Sequence, residues 1–485
     1  MTCDILRKKR HKEKLNSRVK ISNVREIEIS PDKLVTALLN ISKQETVCLL
    51  DSCGISYLGS HLLIAGMKPA KTLEITNKNA EKTLEIFNEK LSQTDLASIF
   101  TISYDFGLKL ENIKVRKKEF PTFDEPDIFL ALFDCLVIHD YDTKKTFLTG
   151  NKNKFDEIEK IILNPANSVD SVNPANSIIT SNFTRAEYFE TIEEIKEFIR
   201  QGDTYQTNLT QQLRAKLPDN LTPQEIFRRL RENHPAPFSA FLKRKNDFVI
   251  SASPERFFKV QSPEFGVQSQ IISTSPIKGT RPRGKTPEED LQLKTELLNS
   301  EKDRAENVMI VDLLRNDLGR ICKFGTVKIE KLCDLEKHPT FFHLVSTVKG
   351  ELLEEIKFSD IIKAVFPCGS ITGAPKIRTM QIIDELETAN RGLSMGAIGC
   401  YVPSPKSQVP SQKIESTWHL GLGTWDISVA IRTMVIKNQQ AIFNVGGGIV
   451  IDSNPESEYE ESLIKAQAIF SALGTDKTFV QLLNE

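Results

Sequence analysis

Apolar positions along the chain follow two rhythms. Short runs rich in β-branched and aromatic residues, at 46–50, 62–65, 128–133 and 135–138, read as strands of a largely antiparallel sheet, with at least one helix near 79–91. Further on, 185–201 and 221–233 carry helical spacing, while 205–210, 239–242, 248–251 and 270–274 read as strands. Strand 340–349, helices 359–366 and 376–388, strands 427–435 and 441–445, and a helix over 456–473 complete the pattern.

The most informative stretch is 299–320, NSEKDRAENVMIVDLLRNDLGR, which predicts one helix with an acidic first half. Asp303 and Glu306 are three residues apart and share a face, while Val308, Met309, Val311, Leu313 and Leu314 offer a core-facing side. A rigid carboxylate pair suits a hard cation such as Mg²⁺, and equally suits a solvated helix face. Glu458 and Glu461 repeat the spacing on the last helix, where the helix dipole alone would also favour acids. Only a meeting of the two pairs in space would separate these readings.

Charge narrows the function classes. Lys and Arg number 64 against 65 Asp and Glu, so the chain is nearly neutral and nucleic-acid binding is not expected as its main activity. No apolar run is long enough for a membrane helix, which makes the cytoplasm the default location. The eight cysteines contain no CxxC pair and read as reduced, mostly buried residues. None lies in a GxCxG setting, so the chain shows no glutamine-hydrolysing nucleophile of its own. Residues 1–22, with the basic run Arg7–Lys12, read as a disordered tail; 23–163 as an N-terminal subdomain; 164–180, with the repeated NPANS, as a polar linker; and 181–480 as a catalytic domain. A second polar insertion spans 403–416.

Three local features carry chemistry. Lys278 lies at a strand end between Pro276 and Gly279, so a constrained backbone aims it. Residues 367–376, PCGSITGAPK, lead into a helix whose N-terminus is a credible anion site, without the spacing of a nucleotide-binding loop. Gly446, Gly447 and Gly448 allow backbone to approach a ligand closely.

From about Thr184 to Leu473 the motifs YQTNL, SPERF, PIKGT, EKDRAENVMIVDLLRNDLGR, HLVS, GSITGAPK, IRT, GGGIV and ESEYEE occur in an order that resembles the chorismate-utilising enzymes. LLDS at 49–52 and YDFG at 104–107 extend the resemblance more loosely. It implies an α/β (α+β) anthranilate synthase-like fold, in which two mainly antiparallel sheets pack as a sandwich with helices outside, and the boundary near 175 then divides subdomains that do not fold independently. It also implies that Glu306 and Glu461 hold Mg²⁺ on the ring carboxylate of chorismate, with Asp303 and Glu458 supporting through waters. Arg432 and the Gly447 and Gly448 backbone would take the enolpyruvyl carboxylate, Ser370 would lie beside the ring carboxylate, and Lys465 would add positive charge.

Within that family, members that aminate chorismate at C4 resemble this chain in carrying lysine at the position of Lys278, whereas members that aminate at C2 show alanine in a PIAGT motif. The resemblance therefore implies attack by Lys278 on C2, loss of the C4 hydroxyl, and displacement of the lysine by ammonia added at C4. Gln206 stands where water-using relatives place a general-base lysine, which favours ammonia over water. Glu255 is the candidate general acid, and His343 lies near the same ring edge. Ammonia would come from a separate glutamine amidotransferase subunit. Synthesis of anthranilate, and a non-catalytic chorismate- or tryptophan-binding regulator, are the alternatives. One departure is Cys400 after Gly399, where many relatives have tyrosine; Tyr401 is one place late and should face the other side of its strand.

Overall fold

The computed structural model describes residues 24–56, 61–92, 96–120, 122–164, 177–261, 269–337, 341–403 and 423–475. The basic tail, the repeat over 165–176 and the insertion over 404–416 lie outside the described residues. The described chain forms two mainly antiparallel sheets with helices against them.

The first sheet has twelve strands. Its path starts with Val24–Ile27, Lys145–Gly150, Cys135–Asp140, Leu62–Met67 and Val47–Asp51, all from the N-terminal third. It continues without a break through Phe238–Lys243, Phe248–Ser253, Thr433–Lys437, Gln440–Ile449, Gln206–Lys216 and the short Gly373–Ala374. Residues assigned to the two subdomains thus share one hydrogen-bonded sheet, joined where Ser239–Leu242 pairs with Cys48–Asp51. Ile178–Ser181, at the end of the polar linker, is a strand beside Leu213–Lys216. The ten-stranded second sheet is mixed in the same way, since Ala97–Ile102 pairs with Ala397–Val402.

Burial follows the strand pattern. Ile99, Phe129, Leu136, Ala240, Val249, Ile398 and Val435, drawn from both sheets, form one buried cluster. The outer faces are covered by helices: Pro31–Ile41, Pro223–Asn233 and Pro455–Ala472 on the first sheet, and Ala80–Ser92, Glu301–Gly319 and Phe358–Val365 on the second. The expectation of a sandwich holds.

Two local expectations change. Residues 427–435 are two strands, Thr424–Val429 in the second sheet and Thr433–Lys437 in the first. The chain crosses between them at Arg432, whose φ of 49° is left-handed and ends the extended run. In helix Glu301–Gly319 the buried apolar side is Ile310, Val311, Leu314 and Leu318, while Val308 is exposed and Leu313 half-buried. The stripe is narrower because the N-terminal turns project toward the site. Tyr401 stacks on Trp425 with ring centroids 4.4 Å apart, while Cys400 joins the buried cluster between the sheets, so the two alternate faces as expected.

Candidate active site

Strand Ile277–Pro282 pairs with Phe341–Glu351, but its register breaks between Ile277 and Thr280. The irregularity takes Lys278 and Gly279 out of the ladder and re-aims the lysine. Gly279 has a φ of 82°, and a β-carbon there would stand 2.9 Å from both the Asp303 Cβ and Leu297 Cδ1. Glycine therefore lets the strand press onto the acidic helix. Lys278 Nζ ends 3.7 Å from Glu306 Oε2. Thr280 Oγ1 lies 2.9 Å from Nδ1 of His343, which is buried against the Phe341 ring.

Helix Glu301–Gly319 begins at Ser300, whose hydroxyl accepts the Asp303 N–H at 3.2 Å. Its Asn307 is fully buried, donates to the Leu344 carbonyl and accepts the Ser346 hydroxyl, which locks the helix to the HLVS strand. Asp303 accepts from Arg281 Nη2 at 3.2 Å. Burial pushes the Glu306 carboxyl above its ordinary range, opposed by Lys278 and Lys302 and helped by Asp303 and Glu458.

The last helix, Pro455–Ala472, is capped by Asn454 and brings the second pair to the same place. Glu458 is buried, accepts the Ser453 hydroxyl at 2.7 Å, and receives Lys302 Nζ at 3.4 Å. Glu461 is exposed, and against partial desolvation Lys465, at 2.7 Å, Lys302 and Lys278 hold its carboxyl below the usual value. Lys302 lies in the field of Glu458, Glu306 and Glu461 together. Its spacing alone places it on a solvated face; the one available signal is the four-residue step to Glu306.

The two acidic pairs therefore share one region with Lys278, Lys302 and Lys465 interleaved. Among the described residues, no three His, Cys, Asp or Glu side chains are already grouped as a metal site. The donor chemistry nevertheless fits a hard divalent cation: carboxylate oxygens from two rigid helices, partly withdrawn from water.

Strand Gln206–Lys216 pairs with Gln440–Ile449, whose glycine run lies beside the last helix. Gln206 is fully buried, and neither amide atom has a hydrogen-bond partner among the described residues. A β-carbon on Gly448 would fall 1.9 Å from Gln206 Nε2, and one on Gly447 would meet Glu458 Oε2 at 3.3 Å and Lys465 Nζ at 3.4 Å. Lys465 also donates to the Gly446 carbonyl at 3.3 Å. Arg432, half-buried at the crossover, is lowered from its ordinary pKa by burial alone, with no carboxylate among the described residues to offset it. Such a cation is suited to an anionic ligand.

Glu255 follows strand Phe248–Ser253 and is 5% exposed. Its Oε1 is buried without a partner among the described residues. Burial pushes the carboxyl up to about 7, against the opposing pull of Ser370, Lys278 and the Ile277 N–H. Ser370 sits in the turn Gly369–Ile371, which packs so tightly on Leu313 that a β-carbon at Gly369 would approach to 2.5 Å. Its hydroxyl is 3.3 Å from Cys368 Sγ. The lysine of GSITGAPK belongs to the framework: Lys376 is buried, 2.6 Å from Asp317, and donates to the Val365 carbonyl. In LLDS, the Asp51 carboxylate is engaged by Arg231 and the Tyr141 hydroxyl, each at 2.7 Å.

A sandwich bearing two acidic helices, a backbone glycine run and a buried carboxylic acid defines an enzyme site for a small anion. The sequence pattern described as chorismate binding enzyme matches residues 46–409 and 417–471, and the chain belongs to that family. It is 36% identical to aminodeoxychorismate synthase component 1 of Bacillus subtilis (strain 168) over 81% of this chain and 80% of the relative. It is 37% identical to the protein of the same name from Escherichia coli (strain K12), over 76% and 75%. Anthranilate synthase component 1 of Aquifex aeolicus (strain VF5) is 36% identical over 72% and 68%. The structure is similar to anthranilate synthase component I from Streptococcus pneumoniae TIGR4, with a TM-score of 0.71 and 28% identity over 86% of this chain and 93% of the other.

Proposed function

We propose that this chain aminates chorismate at C4, giving 4-amino-4-deoxychorismate for p-aminobenzoate and folate synthesis, with ammonia supplied by a glutamine amidotransferase subunit. The observation that carries the reading is Lys278 on its irregular strand, facing Glu306 and electrostatically coupled to a Glu255 carboxyl that titrates near 7. The names of the Bacillus and Escherichia relatives support it.

As the free base, Lys278 forms a bond to C2, the diene electrons shift, and the C4–O bond breaks. Protonated Glu255 gives its proton to the departing hydroxyl, which leaves as water. Ammonia then bonds to C4, the electrons return, and the C2–N bond to Lys278 breaks, restoring the amine. Gln206 offers no basic atom to deprotonate water, so its enclosed amide favours amination. Arg432 and the Gly447 and Gly448 backbone bind the enolpyruvyl carboxylate, Ser370 lies beside the ring carboxylate, Lys465 adds positive charge, and His343, oriented by Thr280, borders the reacting edge. Glu306 and Glu461, supported by Asp303 and Glu458, would hold Mg²⁺, which neutralises the ring carboxylate when bound.

Amination at C2, as the Aquifex relative's name would suggest, is the second reading, favoured by its equal identity. Product chromatography decides between them. With ammonium salts at alkaline pH, the chain should give the 4-amino product without pyruvate, and glutamine should serve only when a partner is added. Pyruvate release, or glutamine turnover by the chain alone, would refute the proposal.

A further inference from the structure

One guanidinium ties the two walls of the site together without reaching into it. Arg391 is 3% exposed and makes four hydrogen bonds from its planar fork. Nη1 donates to the Ile371 carbonyl at 2.8 Å, Nη2 to the Asn208 carbonyl at 2.7 Å, and Nε and Nη2 to the Glu387 carboxylate at 2.9 and 2.7 Å. The ring of Tyr104 lies 4.5 Å from its centre. Glu387, also buried, accepts the Thr210 N–H at 2.7 Å and its hydroxyl at 2.9 Å.

We propose that Arg391, held by Glu387, is a positioning residue that fixes the Ser370 turn against the strand carrying Gln206 and so sets the acid-bearing side of the site. Ile371 directly follows Ser370. Asn208 is two residues from Gln206 and stands opposite Gly448 in the ladder. The same segments are also joined by the Asn208 N–H to the Thr372 carbonyl at 2.7 Å, the Tyr205 N–H to the Ala374 carbonyl at 2.8 Å, and the pairing of Gln206–Thr207 with Gly373–Ala374. Those bonds hold the chain from Thr372 onward, while Arg391 ties Ile371, next to Ser370, to the same strand.

The chemistry of the pair points the same way. A buried ion pair is a poor route to stability, because desolvating both charges offsets their attraction. What it supplies here is direction: a rigid fork binds two carbonyls and a carboxylate at set angles, which one ammonium on a flexible stem does not reproduce. The Ser370 hydroxyl, which bears on Glu255, is one residue from this anchor. Arg432 and Lys465, which lie on other segments, do not hang from it.

The test uses Arg391→Lys, which keeps the charge opposite Glu387, and the milder Glu387→Gln in case the first fails to fold. Melting temperature, chorismate consumption with ammonium salts, and amide hydrogen exchange are measured on the full chain. Counting chorismate consumed, whatever the product, keeps this result separate from the regiochemistry proposed above. For folded variants kcat should drop about tenfold or more while KM for chorismate stays within about threefold, as expected when reacting groups are misplaced but binding is kept. Exchange should quicken selectively over 206–210 and 369–372. Wild-type kcat in a folded variant, a change confined to KM, or exchange that quickens evenly through both sheets would overturn the proposal.

Discussion

The amide nitrogen of Gln206 occupies the space where a β-carbon on Gly448 would stand, 1.9 Å away. The two residues lie on neighbouring strands, and this contact packs a buried amide against the glycine run. Gly448→Ala should therefore displace the amide or the backbone, lowering stability by about 1–3 kcal/mol as overpacking does, and reduce kcat/KM with it. Gln206→Ala in the same chain should restore space, so the double substitution should lose less than the sum of the singles. Strictly additive losses would show that the contact does not matter.

Glu255 makes a pH prediction with a definite sign. Its carboxyl, pushed up to about 7 by burial, is protonated in the folded chain at pH 6, where the unfolded chain has already lost that proton. At a fixed concentration of free ammonia, the limb of the activity profile that reports the acid form should fall as pH rises through about 7. Stability should fall with it, because the folded state binds more protons than the unfolded one between about 4.5 and 7. Glu255→Gln should thus lose roughly 10²–10⁴ in kcat, melt higher than the parent at pH 8, and show little change at pH 4. A pH-independent difference in melting temperature would contradict the assignment.

Lys278→Ala should abolish any covalent substrate adduct and sharply reduce the 4-amino product, because it removes the nucleophile from the C2 approach. Some flux should emerge as the 2-amino isomer. Intact-mass spectrometry of quenched parent and variant, with chorismate and Mg²⁺ but no ammonia, reads the adduct directly. A variant that makes the 4-amino product at the parent rate would make Lys278 a bystander.

For the acidic helices, Glu461→Gln should weaken Mg²⁺-dependent turnover by at least about tenfold, the scale of losing one charged contact in the transition state. Calorimetric titration of Mg²⁺ into the folded variant should show the matching loss of affinity. Unchanged binding would return Glu458 and Glu461 to an ordinary acidic helix start, for which the dipole suffices.

The helix faces and the family were legible in the sequence. The three-residue steps Asp303–Glu306 and Glu458–Glu461 set common helix faces, Pro276 and Gly279 marked a constrained backbone around Lys278, the glycines at 446–448 announced close backbone approach, and motif order pointed to the family, because helical phase and steric freedom are local properties of a chain. Tertiary structure decided the rest. Residues 427–435 look like one strand by composition, yet the left-handed Arg432 passes the chain from one sheet to the other. The sequence places a subdomain boundary near 175 without telling which strands cross it, and the N-terminal strands enter both sheets through pairings such as Leu50 with Ala240 and Phe100 with Gly399. Lys302 spaces like a surface residue and ends among three carboxylates from two helices. Arg391 has no motif at all, and its four bonds reach segments 20 and 183 residues away as well as Glu387. Strand partners and buried ion pairs depend on contacts between distant segments, and periodicity along a single segment carries no information about which distant segment will complete it.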